Sequence, residues 1–254
     1  ISAVAGAAIR SARVGHPAPF FPPAPSPLPE VTTWAPAATA LDPSALLDLA
    51  RRLRDRLSRG DWEVDVWAER SSGVVEVGNT RGVLASYPVT LTGLGAEVRS
   101  VRSGAPRCRV HRSGVAPPSA VDLEDLVSEV EARFQPPPLD LEEIAPSVRV
   151  WFAPRAARAL LSPLLSKLLG AVWPTSGWPA LDRRLALVDD PLADGRPGSR
   201  PICDEGVPSR PIVLVKDGEP RQGLLDLVTA SRHGLPATGH GWRRGYSGSR
   251  IGFT

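Results

Sequence analysis

The stretch that decides the fold is residues 62–91, WEVDVWAERSSGVVEVGNTRGVLASYPVTL. From Trp62 to Val66, apolar side chains alternate with charged ones, which is the two-residue period of a half-buried strand. Asn79-Thr80-Arg81-Gly82 then predicts a turn. The odd positions from Val83 to Leu91 share one face of the strand that follows. This stretch therefore predicts antiparallel strands joined by a short turn.

Residues on either side of this stretch extend the pattern. Glu97 to Arg102 and Arg107 to Arg112 predict two more strands of a meander. Leucines recur at three- and four-residue steps from Asp42-Pro43 to Leu57, which predicts an amphipathic helix with a good N-cap. Asp122 to Phe134 repeats the helical spacing. The predicted fold class is α+β, an antiparallel meander with flanking helices.

Two proline-rich segments suggest domain boundaries. Prolines recur from Pro17 to Pro29, and Pro136-Pro137-Pro138 ends the second helix. We predict three units: 1–24, 25–145 and a strand-rich unit, 146–254. The strands predicted in the last unit are Val148–Phe152, Leu185–Val188, Ile212–Val215 and Gln222–Leu225, with the turn Lys216-Asp217-Gly218 before the last of them. The predicted helices are Pro154–Gly170, interrupted or kinked by Pro163, and Asp226–His233.

Composition limits the classes of function. The chain has 254 residues, 42% hydrophobic and 22% charged, and lacks an apolar run long enough for a membrane span. The net charge is only +3, and basic and acidic residues are interspersed, so we expect no nucleic-acid or membrane partner. Two cysteines cannot form a disulfide framework, which favours the cytoplasm. Because the sequence begins at Ile1 and contains no Met, we expect a processed or truncated chain or a reduced one.

Metal-ligating patterns are weak. The sequence has no His-Glu-x-x-His, and Cys108 and His111 would point to opposite faces of a strand. Cys203, His233 and His240 could converge as a ligand triad, but His233 precedes Gly234 in a last helical turn, where capping is the simpler role. We also expect each thiol to be a small buried apolar group.

Acidic residues are densest between positions 189 and 205. Asp189-Asp190, Asp194 and Asp204-Glu205 could perform acid–base chemistry or bind a divalent ion. Asp-Pro and Asp-Glu-Gly are also natural turn sequences, in which Asp accepts backbone N–H bonds and Gly takes a positive φ. The structural interpretation is preferred for these residues.

The order of several short motifs resembles the TldD/PmbA family. Asp204-Glu205-Gly206-Val207-Pro208 is similar to an Asp-Glu-Gly-x-Pro segment of that family, and Thr238-Gly239 to the end of its Ser-Thr-Gly-Asn motif, with His240 in place of Asn. Upstream, Asn79 to Val83 and Tyr87 to Thr90 are similar to an Asn-Ser-x-Gly segment and the strand after it. The resemblance covers most of residues 40–245 and implies a TldD/PmbA-like fold, in which Asp204, Glu205, Gly206, Thr238 and Gly239 are structural motif residues.

The resemblance also implies that the family's zinc motif is lost. TldD-type subunits carry His-Glu-x-x-x-His on a helix, and these positions correspond to Ser162, Pro163 and Lys167. Neither serine, proline nor a positively charged ammonium suits a zinc site with its activated water. We therefore expect no metal, no catalytic residue and no cofactor in this chain.

Such a chain resembles the PmbA-type (TldE) subunit, which implies a zinc-bearing TldD-like partner in a heterodimer, zinc in that partner, and unfolded or small peptides as substrates. Peptide natural-product maturation is one such context. A contribution of Arg243 and Arg244 to a peptide groove is conceivable, although a surface loop is the simpler interpretation. One alternative is a stand-alone homodimer with a non-proteolytic tailoring or ligand-binding role. Another is a gyrase-associated regulator, but no residue pattern supports it.

Overall fold

The computed structural model describes residues 2–15, 18–101, 107–134, 147, 149–170, 178–243 and 250–251. Within them, the helices are α1 Ser2–Ala12, α2 Pro36–Thr39, α3 Pro43–Leu57, α4 Ala120–Phe134, α5 Pro154–Lys167 and α6 Leu227–His233. The strands are β1 Trp62–Gly78, β2 Leu84–Ser100, β3 Arg107–Gly114, β4 Leu187–Asp189, β5 Ile212–Lys216, β6 Glu219–Pro220, β7 Gly241–Trp242 and β8 Arg250–Ile251.

The central sheet is an antiparallel meander in the order β1-β2-β3. Trp62 pairs with Ser100 and Gly78 with Leu84, so β1 and β2 are paired over their whole lengths. The predicted α+β meander with flanking helices is confirmed. The expectation of separate strands at Val83–Leu91 and Glu97–Arg102 was wrong, because the described part of that region forms one continuous strand, β2.

Helices α3 and α4 cover one face of this sheet. Asp42 accepts the Ser44 N–H at 2.7 Å and so caps α3, as its sequence predicts. The buried leucines of α3 pack with those of α4 and with the even-numbered residues Leu94 to Val98 of β2. Burial of about a dozen apolar side chains here makes this the main hydrophobic core.

The two ends of β2 use opposite faces of the sheet. Leu94, Ala96 and Val98 face the helices, whereas Val83 and Ala85 pack against Ile202 on the other side. Successive side chains of a strand point to opposite faces of the sheet. Because the buried residues are even-numbered at one end of the strand and odd-numbered at the other, the two ends bury opposite faces. This strand thus joins the helix-covered core to the C-terminal half of the chain.

A second sheet, in the order β4-β5-β6, carries the C-terminal core. The turn at Asp217 and Gly218, both at positive φ, joins β5 to β6 as predicted. The predicted return strand Gln222–Leu225 was wrong: β6 ends at Pro220, and Leu224 instead forms an isolated parallel bridge with Leu169. Beyond Pro220 one backbone contact with β5 remains, in which the Arg221 N–H donates to the Leu214 carbonyl at 2.8 Å.

The predicted strand Val148–Phe152 was also wrong for its described residues, 149–152, which form no strand. Their apolar side chains are exposed, with Trp151 at 95%. β-branched and aromatic residues favour a strand only where a neighbouring strand can pair with them. Residue 148 and the prolines 136–138 lie outside the described residues. Among the helices that the structure describes, none is long and apolar enough to cross a membrane. The unit boundaries 1–24, 25–145 and 146–254 stay a prediction.

Candidate functional site

The motif residues of the C-terminal half meet where a tight turn approaches β7. The Gly206 N–H donates to the Cys203 carbonyl at 2.9 Å, and Gly206 has a φ of 83°, a left-handed conformation that glycine adopts without strain. Asp204 is held at both ends: its N–H donates to the Gly241 carbonyl, and its carboxylate accepts the Arg243 N–H at 2.6 Å. The turn is therefore held against β7 and the residue after it by one backbone and one side-chain contact of Asp204.

Glu205 connects the same turn to the beginning of α6. Its carboxylate accepts the Leu227 N–H at 2.9 Å, one of the N-terminal N–H groups that lack a partner within the helix. A Cβ on Gly241 would overlap the Glu205 side chain, so only glycine allows this close approach. Asp226 completes the helix start with a capping box to Thr229. These contacts are of the kind that a structural role for Asp204 and Glu205 requires.

A fully buried histidine lies behind the turn. The His240 side chain is 0% exposed, and its Nε2 atom is 2.6 Å from the carboxylate of Asp189, which is 5% exposed. Nδ1 is 3.0 Å from the Thr238 carbonyl oxygen, and the Thr238 hydroxyl donates to the Leu225 carbonyl. Sequence reasoning considered Asp189 and His240 separately, and nothing in their spacing of 51 positions indicated that they would pair.

The other candidate metal ligands are not brought together. His233 is exposed at the end of α6, where its Nε2 atom lies 3.3 Å from the Gly170 carbonyl oxygen, and so is not joined to Cys203 and His240. Cys108 is in the core, whereas His111 stacks on Trp67. In the described part of the chain, no three His, Cys, Asp or Glu side chains are arranged to hold a metal.

The remaining acidic residues, Asp190 and Asp194, accept backbone N–H groups. Asp190 accepts the Leu192 N–H, and Asp194 accepts the Thr32 N–H at 2.7 Å, which lowers the pKa of Asp194. Cys203 is fully buried, as expected for a small apolar group, and burial raises the pKa of its thiol. Asp190 thus serves a local turn, whereas Asp194 links its loop to the distant residue Thr32 and Asp189 pairs with His240.

A buried arginine adjoins this site. Arg200 is 3% exposed, and its guanidinium carbon lies 3.3 Å from the ring centroid of Trp242. One guanidinium nitrogen is 3.4 Å from the Gly239 carbonyl oxygen, but the Nε and Nη1 atoms find no hydrogen-bond partner among the described residues. Burial lowers the pKa of Arg200. Sequence reasoning missed this residue, since an arginine in an Arg-rich chain carries no signal.

Two clefts flank the turn. The first, of about 280 Å³, is lined by Tyr87, Arg200, Asp204 and Trp242 together with apolar residues of β1 and β2. Burial raises the pKa of Tyr87 there. The second, of about 360 Å³, is lined by Asp204, Glu205 and Arg243 together with Phe20 and Val77. Arg243 thus borders a cleft, and Arg244 lies outside the described residues.

The positions at which the resemblance places the family's zinc motif lie on α5. Ser162 and Pro163 are exposed, and Lys167 at the end of the helix places its ammonium 5.9 Å from the Trp178 ring centroid. The sequence of α5, PRAARALLSPLLSK, contains no His, Cys, Asp or Glu. This donor set does not fit zinc, because neither a hydroxyl, a proline ring nor an ammonium can replace imidazole and carboxylate ligands.

Comparisons with known proteins agree with this arrangement. Residues 147–253 match the family model of the PmbA/TldA metallopeptidase C-terminal domain. The chain is 43% identical over 61 residues to the metalloprotease TldD homolog of Haemophilus influenzae, covering 24% of this chain and 13% of that protein. The C-terminal part of the chain, residues 147–253, is therefore similar to the C-terminal domain of TldD/PmbA-family proteins.

Solved structures establish the fold. The chain is similar to TldE from Thermococcus kodakarensis, with a TM-score of 0.71 and 21% identity over 96% of this chain and 59% of that one. It is also similar to a Thermotoga maritima protein named as a candidate modulator of a DNA gyrase, with a TM-score of 0.68 and 16% identity over 91% and 56%. This chain therefore spans less than two thirds of the length of these relatives.

Proposed function

We propose that this chain is a metal-free, TldE-like accessory subunit of a heterodimeric zinc metallopeptidase that acts on unfolded or small peptides. The observation that carries the proposal is helix α5, where Ser162, Pro163 and Lys167 occupy the positions of the family's His-Glu-x-x-x-His. In this proposal zinc and the activated water belong to a TldD-like partner. The family match and the likeness to TldE support it.

The contribution of this chain is then architectural and substrate-binding. Its long outer strand β1 pairs with β2 on one edge, and the exposed run from Glu69 to Val74 leaves backbone groups near the surface. An extended peptide can add to such an edge through backbone hydrogen bonds, which tolerate many side chains. Arg243, beside the second cleft, is a further candidate contact for a peptide carboxylate. Peptide natural-product maturation is one process that such a pair would serve.

The test is co-purification with a TldD-type protein from the same genome, followed by zinc analysis and cleavage of an unstructured peptide. We expect a heterodimer with zinc in the partner, and cleavage by the mixture that this chain alone lacks. As a matched control, the partner with both motif histidines changed to alanine should still bind this chain but lose zinc and cleavage. Stoichiometric zinc or cleavage in this chain alone would contradict the proposal.

The alternative, a stand-alone homodimer that binds or modifies a ligand, makes the opposite prediction in the same experiment. It requires this chain to self-associate and not to bind the TldD-type protein. Sedimentation of the two proteins separately and mixed distinguishes the cases by mass. A homodimer that stays intact in the mixture would favour the alternative.

A further inference from the structure

The strongest unexplained feature is a buried positive charge beside the first cleft. An arginine is almost never fully buried unless an anion or several hydrogen-bond acceptors compensate it. Arg200 is 3% exposed, and no carboxylate among the described residues forms an ion pair with it. Its Nη2 contact with the Gly239 carbonyl oxygen is long, at 3.4 Å. The Asp204 and Asp189 carboxylates act on this charge coulombically, but neither forms an ion pair with the guanidinium.

A second buried donor nearby also lacks a hydrogen-bond partner. The indole Nε1 atom of Trp242 is buried and has no hydrogen-bond partner among the described residues. Because the guanidinium stacks on the Trp242 ring, three N–H-bearing atoms without partners, Arg200 Nε, Arg200 Nη1 and Trp242 Nε1, belong to two touching side chains. Buried donors in a native protein have a partner in nearly every case, so a missing one indicates a ligand or an ordered water.

Both side chains line the first cleft, and the rest of its lining suggests the ligand. Tyr87 adds a hydroxyl, and Val75 and Val89 add apolar surface. Asp204 also lines the cleft, but its carboxylate accepts the Arg243 N–H and is thereby committed to the turn. A second arginine, Arg196, also lines the cleft. Because apolar walls adjoin the guanidinium groups, a carboxylate carried on an organic group fits better than a free phosphate, which makes no apolar contact with those walls.

We propose that Arg200 and Trp242 form a binding site for a peptide carboxylate in the first cleft. The peptide class rests on the proposed function, whereas the anion site rests on the contacts of these two residues. The guanidinium binds the carboxylate oxygens, and the indole N–H donates to one of them. Val75 and Val89 contact the neighbouring side chain of the peptide. Either the C-terminal carboxylate or an Asp or Glu side chain supplies this group.

The experiment measures binding to this chain alone, without partner or zinc, by calorimetry. The probes are N-acetyl-trialanine as the free acid, its C-terminal amide, and the amide of N-acetyl-Ala-Glu-Ala. We expect the acid to bind at least about tenfold more tightly than the trialanine amide, since it forms charge-assisted hydrogen bonds that the amide lacks. Tight binding of the Glu-containing amide would assign the site to an acidic side chain, and weak binding to the C-terminus.

Three variants locate the site. Arg200→Met should remove the preference for the acid, and Trp242→Phe, which keeps the stacked ring but removes one N–H, should weaken acid binding severalfold. Arg221→Gln, at an exposed arginine paired with Glu219, removes the same charge elsewhere and should leave binding unchanged. Thermal unfolding checks that each variant is folded, and Trp242→Phe keeps the test valid if Arg200→Met does not fold.

Equal affinity for acid and amide, or binding unaffected by both cleft variants, would overturn the proposal and leave ordered water as the partner of these donors. The outcome is separable from the proposed function. A chain that binds the acid but forms no complex with the zinc-bearing protein contradicts only the accessory-subunit role. A complex that cleaves peptides while this chain shows no acid preference contradicts only the carboxylate site.

Discussion

At the scale of single residues, the buried Asp189–His240 pair is the most consequential contact of the C-terminal half. His240 bridges Asp189 at 2.6 Å to the Thr238 carbonyl at 3.0 Å, so one imidazole joins the end of β4 to the segment before β7. The pair therefore links two segments of the C-terminal half through buried side chains.

Replacement of His240 by alanine should lower the free energy of unfolding by about 3 kcal/mol, because it removes the imidazole from a buried carboxylate and leaves a cavity. Urea denaturation measures the change. His233→Ala, at an exposed histidine, is the matched control and should change stability by under about 0.5 kcal/mol. A double-mutant cycle with Asp189→Asn tests the coupling, and strictly additive effects would contradict the pairing.

The buried thiol of Cys203 makes stability depend on alkaline pH. Burial raises its pKa in the folded protein, whereas in the unfolded chain it ionises near its ordinary pKa of about 8.5. The folded state then binds more protons above that pH, so the stabilisation is complete below about 8.5 and is lost as pH rises further. Tyr87, whose pKa burial also raises, has the same sign at higher pH.

Urea denaturation under reducing conditions from about pH 7 to 10 should therefore show a decrease of up to about 1.4 kcal/mol per pH unit from Cys203 above its ordinary pKa. Cys203→Ala should flatten this part of the profile, although it lowers stability at neutral pH. An identical slope in the variant would show that the thiol ionises equally in both states.

At the scale of elements, α5 contains a proline in its interior, where proline is unfavourable. Pro163 lies inside the helix, where it lacks the N–H that would donate to the carbonyl of residue 159. Pro154, at the first turn of the same helix, loses nothing, since the N–H groups there have no partner within the helix. The two prolines are thus a natural pair for comparison.

Pro163→Ala should stabilise the chain by about 1–3 kcal/mol, because it restores the helical hydrogen bond on an exposed position. Pro154→Ala is the control and should have little effect. The midpoint of thermal unfolding, together with helical circular dichroism, reports the change. Loss of stability in Pro163→Ala would mean that the proline is fitted to a bent helix by its neighbours.

At the scale of the whole molecule, β2 connects two cores that lie on opposite faces of the sheet. Its even-numbered residues near Val98 pack under α3 and α4, and Val83 and Ala85 at the other end contact Ile202 of the C-terminal half. Ile202 is 1% exposed and so acts as the apolar link from the motif turn to the sheet.

Ile202→Ala should cost about 2–4 kcal/mol, and the loss should reach beyond the site of the change. Hydrogen exchange should become faster both at residues 83–89 and at residues 199–209, because this contact holds them together. Val213→Ala, at a 43% exposed position of β5, should cost under about 1 kcal/mol and leave both segments protected. Faster exchange confined to one segment would contradict the link.

Much of this arrangement could be predicted from the sequence. Alternation from Trp62 and leucine spacing from Leu46 predicted the meander and α3, because each pattern reports which face of a local element is buried. The capping residues Asp42 and Asp226 marked helix starts, and Lys216-Asp217-Gly218 marked the turn after β5. Local periodicity fails where pairing decides, as at residues 149–152, which have strand-forming side chains but no neighbouring strand among those described.

The candidate site also combines features that the sequence predicts with contacts that only the tertiary structure shows. The sequence by itself determined that Ser162, Pro163 and Lys167 offer no imidazole or carboxylate ligand, and it predicted the turns around Asp204, since residue type and neighbouring residues suffice for both. Only the tertiary structure decided that His240 meets Asp189 and that Arg200 stacks on Trp242 with donors left over. These contacts join residues 51 and 42 positions apart, and a distance in space between separate segments is set by the packing of the sheets, which no local pattern encodes.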